Sequence, residues 1–433
     1  MAQTQEASKT AGKPIRCRAA VARKAGEPLV IEEIIVAPPK ARELRVRVLC
    51  SALCFSDIHF WRLKEPHGYY PRIFGHETVG VVESVGEGVE DVKVGDTVIP
   101  SFLAYCGECP DCISIKSNQC SKLRFELSPY IRDGTSRFSD PKGETIYHFG
   151  YTSGFSEYPV VDISHVTKVD PALPASRACL LGCGVSTGNA ICFDSCWHNL
   201  IHFELVRRTY FTFSVKTADV EEGSTVAIFG LGVIGLAVAE GARLRGAKTI
   251  IGVDMNPDKV EIGKKFGVTH FINPRELGGK LATTTLENAV FCIAVILEMT
   301  DGLGADYCFE CVGLPSLSQE AFTCCRKGWG KTIILGVDKP DSQFILNSLV
   351  NNHSGKTITG VQYGGLKPNL DIAILAKRYL DKELQLDLFV THEIKLEDIN
   401  KAFKLLIEGK CLRTVIWLDQ ERASADGVTF NEI

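Results

Sequence analysis

The chain has 433 residues, with 48 lysines and arginines against 52 aspartates and glutamates, for a formal net charge of −4. So balanced a charge leaves no electrostatic footprint for nucleic acid or for an acidic membrane surface. With 45% apolar and 23% charged residues, wholesale disorder is excluded, and the length predicts two domains rather than one core.

Residues 1–14 read as a polar, frayed start with no apolar signal core. The longest apolar run, Ala289–Leu297, falls well short of the roughly 20 residues a membrane helix needs. These features predict a cytoplasmic protein with no membrane partner, in which the 17 cysteines stay reduced and clustered ones default to metal ligation. From Arg16 to about Val161, β-branched runs broken by Gly and Pro predict short, mostly antiparallel strands in a barrel-like arrangement. After about Cys183 the character changes. TVAIFG, TIIGVD, YCFECVG and KTIILGV are continuous apolar strands separated by helical stretches, the pattern of a parallel sheet covered on both faces.

Two motifs carry chemistry on their own spacing. Cys106, Cys109, Cys112 and Cys120 lie within one short loop bent by Gly107 and Pro110. Four thiols there can converge tetrahedrally on one Zn(II), and a closed four-thiolate set is structural rather than catalytic. The same four thiols could also hold an iron–sulfur cluster. The second motif is Gly230-Leu231-Gly232-Val233-Ile234-Gly235, which follows the strand TVAIF and opens a helix. The first Gly permits the tight turn, the second lets backbone approach a pyrophosphate, and the third lets helix and strand pack closely. The helix N-terminus then faces the phosphates. Asp254, 24 residues after Gly230, suits the adenosine ribose hydroxyls and favours NAD over NADP.

A third set is dispersed: Cys54 in LCSALCFSDIHFW, His76-Glu77 in GHETVG, and Cys183 in LLGCGVSTG. With DGTSRF, the glycine fingerprint and GKCLR in the same order, the chain over roughly 16–420 resembles the zinc-dependent medium-chain alcohol dehydrogenases, plant alcohol dehydrogenase-like branch. The resemblance implies an α/β two-domain fold. A GroES-like, partly open β-barrel catalytic domain (1–185 and 361–433) carries the structural zinc lobe. A Rossmann doubly wound parallel-sheet domain (186–360) binds NAD, and the active site lies in the cleft between them. It also implies a catalytic zinc on Cys54, His76 and Cys183, with an open fourth position for the alcohol oxygen. Ser56 matches the hydroxyl residue that hydrogen-bonds the alcohol oxygen, and His59 a proton relay to solvent. Asp57 matches the partner that orients His76, and Glu77 the carboxylate behind the metal. Asp254 and Lys259 match adenosine-ribose contacts, and Arg413 a pyrophosphate contact. Thr187, Leu335, Gly336 and Val337 match nicotinamide neighbours. Phe55 departs from the family, which has Arg or His there.

Two stretches, 190–213 and about 284–296, exceed the family pattern. The first is rich in Phe, Trp, Tyr and His where a surface loop should be polar, and the favoured reading is translated non-coding sequence interrupting the hinge helix after Cys183. The implied function is NAD-dependent, reversible oxidation of a primary or secondary alcohol, with two zincs per chain, a small-molecule substrate and a homodimeric state. The alternatives are a zinc- and NAD-binding homologue impaired by the 190–213 insertion, and a specialised-metabolism reductase of conjugated C=C bonds. The complete ligand set and Ser56 argue for carbonyl chemistry over the latter.

Overall fold

In the first part of the chain, β-branched residues alternate with polar ones, so strands there bury one face and leave the other to solvent. The computed structural model describes residues 10–190, 218–277 and 285–430. The chain divides into one unit of Met1–Cys183 with Lys367–Ile433 and a second of Gly184–Leu366. The divisions thus fall a few residues away from 185/186 and 360/361.

The first unit is built on two sheets. In one, Ile15–Ala22 lies between Arg72–Ile73 and Val30–Val36, which continues to Phe138–Ser139 and Thr145–Ile146. In the other, the long strand Glu43–Ala52 is the spine. It pairs antiparallel with Glu77–Val85 on one side and with Arg413–Trp417 on the other. The register sets Ala52 opposite both Glu77 and Val415, so residues far apart in sequence meet at one end of this sheet. The unit's main core gathers Ile34, Phe74, Phe155, Phe403 and Ile416, all at most 3% exposed.

The second unit is a six-stranded parallel sheet. Its strands are β1 (Thr225–Phe229), β2 (Thr249–Val253), β3 (His270–Ile272), β4 (Tyr307–Glu310), β5 (Lys331–Ile334) and β6 (Thr357–Gly360). Their order across the sheet is β3-β2-β1-β4-β5-β6, every pairing parallel. This is a doubly wound sheet whose order reverses beside β1, the place where such sheets bind ligands at the carboxyl ends of their strands. The near-continuous burial of β1 and β4 explains their unbroken apolar sequences.

Of the stretch 284–296, residues from 285 onward form most of the helix Thr285–Met299, and Cys292 and Ile296 pack into the core of this unit. Of 190–213, only Ala190 lies among the described residues, as the last residue of the buried helix Gly184–Ala190.

Candidate active site and dinucleotide site

Asp57 organises the first cluster. It lies in the short helix Phe55–Trp61 and is fully buried. Its Oδ2 accepts from the Cys54 amide at 3.0 Å, closing the helix N-terminus onto itself. Its Oδ1 accepts from the Gly75 amide at 3.1 Å and pairs with His76 Nδ1 at 3.0 Å. One carboxylate thus fixes the backbone of one candidate ligand and the ring of another. With Nδ1 taken, Nε2 is the His76 nitrogen left for a metal.

The ligand atoms of Cys54, His76, Glu77 and Cys183 lie within 4.8 Å of one another. Glu77 is not equivalent to the other three. Arg413 Nε and Nη2 donate to its two oxygens at 2.7 and 2.8 Å, a buried bidentate pair. Arg413 Nη2 also donates to Cys54 Sγ at 3.2 Å. The carboxylate is therefore held at both oxygens by the guanidinium, which sets the two sulfurs and the imidazole apart as the candidate donor set. Cys183 donates a hydrogen bond to Cys54 and, with the nearby Arg413 and His76, holds the Cys54 thiol well below its ordinary range. The same hydrogen bond, reinforced by burial, holds Cys183 well above it. Burial opposes charge on His76, yet Asp57 and the Cys54 thiolate raise it well above the usual imidazole value. Burial also lifts Glu77 to about 7 against the pull of Arg413. The Glu77 carboxylate offsets the guanidinium, and the two sulfurs beside them make a pocket that a dication would neutralise, so the donor set fits zinc with one open position.

The second cluster is closed. Cys106 and Cys112 Sγ are 3.8 Å apart, and Cys109 and Cys120 Sγ 3.9 Å. These are not disulfide separations. A tetrahedron with metal–sulfur bonds of about 2.3 Å has edges of about 3.8 Å, so the spacing fits one zinc. Backbone amides of Cys109, Cys112 and Leu123 donate to the sulfurs of Cys106, Cys109 and Cys120 at 3.3–3.4 Å, stabilising thiolates. The buried Lys367 donates to the carbonyls of Cys112 and Ser114 at 2.6 and 2.7 Å, adding a cation beside the four sulfurs.

In the second unit, the glycine turn joins β1 to the helix Val233–Leu244. A Cβ on Gly235 would lie 1.8 Å from the Gly230 carbonyl, so helix and turn meet only because it is glycine. A Cβ on Gly232 would meet nothing within 4 Å. Its absence opens space above the helix N-terminus, where free amides favour a phosphate. Asp254 follows β2, and its Oδ2 accepts from the Leu231 amide at 2.8 Å, bracing the turn. Lys259 opens the helix Lys259–Lys265. Thr187 lies on the helix Gly184–Ala190, against Gly364. Leu335, Gly336 and Val337 follow β5, with Leu335 buried and Val337 half-exposed. These residues fit a dinucleotide lying across the carboxyl end of the sheet.

Ser56 and His59 sit one turn apart on the helix Phe55–Trp61, and the Cys54 sulfur lies 3.8 Å from Ser56 Oγ. Arg413 pairs with Glu77 through both carboxylate oxygens, a partner that its place in a GKCLR run does not reveal. Sequence reasoning also missed Glu310, the last residue of β4. It is fully buried, and its Oε1 accepts from the Val312 and Gly313 amides at 2.8 and 2.7 Å. A lone Glu ending an apolar strand carries no spacing signal.

Residues 40–171 match the family described as "Alcohol dehydrogenase GroES-like domain", and residues 233–376 the family described as "Zinc-binding dehydrogenase". The chain is 56% identical to "Alcohol dehydrogenase-like 7" of Arabidopsis thaliana over 413 residues, covering 95% of this chain and 97% of that protein. It is 44% identical to "Alcohol dehydrogenase 1" of Petunia hybrida over 414 residues, covering 95% and 99%. Among solved structures, it is similar to an alcohol dehydrogenase zinc-binding domain protein from Burkholderia ambifaria, with a TM-score of 0.78 at 29% identity, covering 94% of this chain and all of that one. It is also similar to benzyl alcohol dehydrogenase from Acinetobacter calcoaceticus, with a TM-score of 0.76 at 25% identity, covering 93% and 99%.

Proposed function

The chain belongs to the zinc-dependent medium-chain alcohol dehydrogenase family, and from that premise we propose how its residues divide the oxidation of a primary or secondary alcohol to an aldehyde or ketone. The observation that carries the reading is the pairing of both Glu77 oxygens with Arg413, which reserves Cys54, His76 and Cys183 for the metal and leaves one position open. Zinc there supplies Lewis acidity that makes an alcohol hydroxyl more acidic, and NAD supplies the hydride acceptor. Asp57 keeps the Nδ1 proton of His76 and so fixes the ring that ligates through Nε2. Ser56 Oγ, beside Cys54, takes the alcohol proton, and His59, three residues further on the same helix face, passes it on. Arg413 takes the pyrophosphate and is also the counter-charge of Glu77 and Cys54.

In the second unit, Gly230, Leu231, Gly232, Val233, Ile234 and Gly235 cradle the pyrophosphate. Asp254 and Lys259 take the adenosine ribose, with Asp254 selecting NAD over NADP, and Thr187 with Leu335–Val337 border the nicotinamide. Each chain holds two zincs, the second in the four-cysteine lobe. Two copies pair through the second unit. Ile345, Leu349 and Val350 are more than half exposed there, next to the edge strand β6. No helix among the described residues is long and apolar enough to cross a membrane, and the chain works in the cytoplasm.

The test combines zinc content per chain with NADH absorbance on a panel of aliphatic, benzylic and cinnamyl alcohols. Two zincs and alcohol-dependent NADH are expected. Zinc without NADH on any alcohol overturns the catalytic reading.

A further inference from the structure

Two phenylalanine rings run outward from the candidate metal ligand His76. Phe102 meets the His76 ring edge-on at 6.4 Å, and Phe125 meets Phe102 edge-on at 5.7 Å. Phe149 also meets His76, at 5.7 Å, but it belongs to the buried main core of the unit. Phe102 and Phe125 are half-buried, so they keep accessible apolar surface next to a metal ligand.

One guanidinium fixes the peptide group that leads into each of these two rings. Arg132 Nη1 donates to the Arg124 carbonyl at 2.7 Å, in the peptide before Phe125, and Nη2 donates to the Leu123 carbonyl at 3.2 Å. Its Nε donates to His165 Nε2 at 3.1 Å. That bond leaves the imidazole proton on Nδ1, which donates at 2.9 Å to the Ser101 carbonyl, in the peptide before Phe102. The Ser101 amide donates back to the His165 carbonyl at 2.8 Å. The guanidinium also lies over the Tyr151 ring at 4.1 Å, and Tyr151 stacks on buried His165 at 4.7 Å and meets Phe125 edge-on at 6.4 Å. Tyr151 holds a left-handed backbone, φ 60°, which a side-chain-bearing residue keeps only where its surroundings enforce it. The same network reaches the four-cysteine lobe, because Leu123, whose carbonyl Arg132 holds, donates its amide to Cys120 Sγ.

We propose that Arg132 is a positioning residue that holds Phe102 and Phe125 as an aromatic wall for the carbon skeleton of the alcohol, and so makes the site prefer conjugated aromatic alcohols to short aliphatic ones. This rests on the catalytic reading above and goes beyond it by naming a substrate class and a residue that sets it through the wall rather than at the metal. A short alcohol is held mainly by its oxygen. A planar one gains from rings already in place, edge-on or offset to its own. The flat fork of Arg132 reaches three acceptors at once, which the single ammonium of a lysine cannot do in the same geometry.

The test compares kcat/KM for cinnamyl alcohol and for ethanol in the zinc-loaded full chain, using wild type, Arg132→Lys, Phe102→Ala and the double variant. Arg132→Lys keeps the charge and removes the fork. It is expected to lower kcat/KM for cinnamyl alcohol about tenfold more than for ethanol, chiefly through KM. The double variant is expected to lose clearly less selectivity than the two single losses combined, since Arg132 acts through that ring. Near-ultraviolet circular dichroism, which reads fixed aromatic packing, is expected to weaken in Arg132→Lys while the far-ultraviolet signal stays. Equal losses on both alcohols, additive losses in the double variant, an unaltered near-ultraviolet spectrum, or a wild type that prefers ethanol overturns the proposal. Should Arg132→Lys fail to fold, Phe125→Leu decides by the same ratio, and unchanged selectivity there overturns it. A wild type that oxidises no alcohol defeats the catalytic reading itself, a failure told apart because it shows before any variant is made.

Discussion

The two cysteine clusters of the first unit contrast in how they are built. The closed one draws all four ligands from residues 106–120, and its supporting hydrogen bonds are largely backbone amides of the same loop. The open one draws Cys54, His76 and Cys183 from three separate elements, and its support is a set of charged side chains, Asp57, Glu77 and Arg413. A site that only has to hold a metal can be specified by loop spacing, because four sulfurs satisfy the ion completely. A site that must leave one position free cannot be closed by its own ligands. Its geometry has to be imposed from outside, and the charges that impose it are scattered along the chain.

The largest test removes one ligand from each cluster. Cys112→Ser should lose one zinc and most of the stability of its lobe, since a structural zinc contributes on the order of 10 kcal/mol to a small module. His76→Ala should lose the other zinc and all measurable turnover, with a smaller loss of stability that comes from the unpaired Asp57 rather than from the metal. Zinc analysis, calorimetry and NADH production check both, and equal destabilisation by the two variants would erase the distinction between clusters.

Next comes the support of the open site. Asp57→Asn keeps the side-chain volume but weakens the hold on His76, and it should cost about 10- to 100-fold in zinc affinity or turnover. No change in either would mean the ring is positioned by packing alone. Of similar size is deletion of 190–213, the stretch that follows the most distant ligand, Cys183. A misplacement near 1 Å costs about 10²-fold, so deletion should raise turnover by up to that factor, and unchanged kinetics would make the insertion harmless.

The last test concerns the anchoring of the closed lobe. His165 Nδ1 donates to the Ser101 carbonyl, and its Nε2 accepts from Arg132, which also holds the carbonyls of Leu123 and Arg124 just past the last lobe cysteine. Burial first, and then Arg132, lower His165 to about 3. Below the ordinary imidazole value the unfolded chain takes up a proton that the native one refuses. The stability contributed by neutral His165 is therefore present above about pH 6.5 and lost as pH falls toward 3, at about 1.4 kcal/mol per pH unit. Unfolding midpoints between pH 7 and 4 should fall less steeply in His165→Gln. Parallel slopes would show that the histidine does not carry the acid sensitivity.

The contrast between clusters also explains what could be read without coordinates. Cys106–Cys120 and the Gly230–Gly235 turn announce themselves because their function depends on local spacing. Cys54, His76 and Cys183 are individually ordinary and became legible only as a family pattern. Arg413 was expected at a pyrophosphate, and its bond to Glu77 arises from a strand register in which Ala52 faces both Glu77 and Val415. No local pattern encodes that register. Glu310 escaped notice for the same reason, as its partners are backbone amides of its own loop and its neighbour Gly336 is supplied by another strand. In the helix Thr285–Met299 the apolar run Ala289–Leu297 is hydrophobic on every face, which hides the helical period of the stretch marked as atypical.

The return of the C-terminal segment to the first unit has a consequence for biosynthesis. Glu77 and the Cys54 cluster meet their counter-charge only when Arg413 is made, and the four-cysteine lobe meets Lys367 only after the whole of the second unit has left the ribosome. The dinucleotide unit, continuous in sequence, can fold first, although domains ordinarily fold in order from the N-terminus. The four-cysteine lobe carries its ligands and amide donors in one loop, so the open site, whose counter-charge Arg413 comes last, is the one that full-length translation completes.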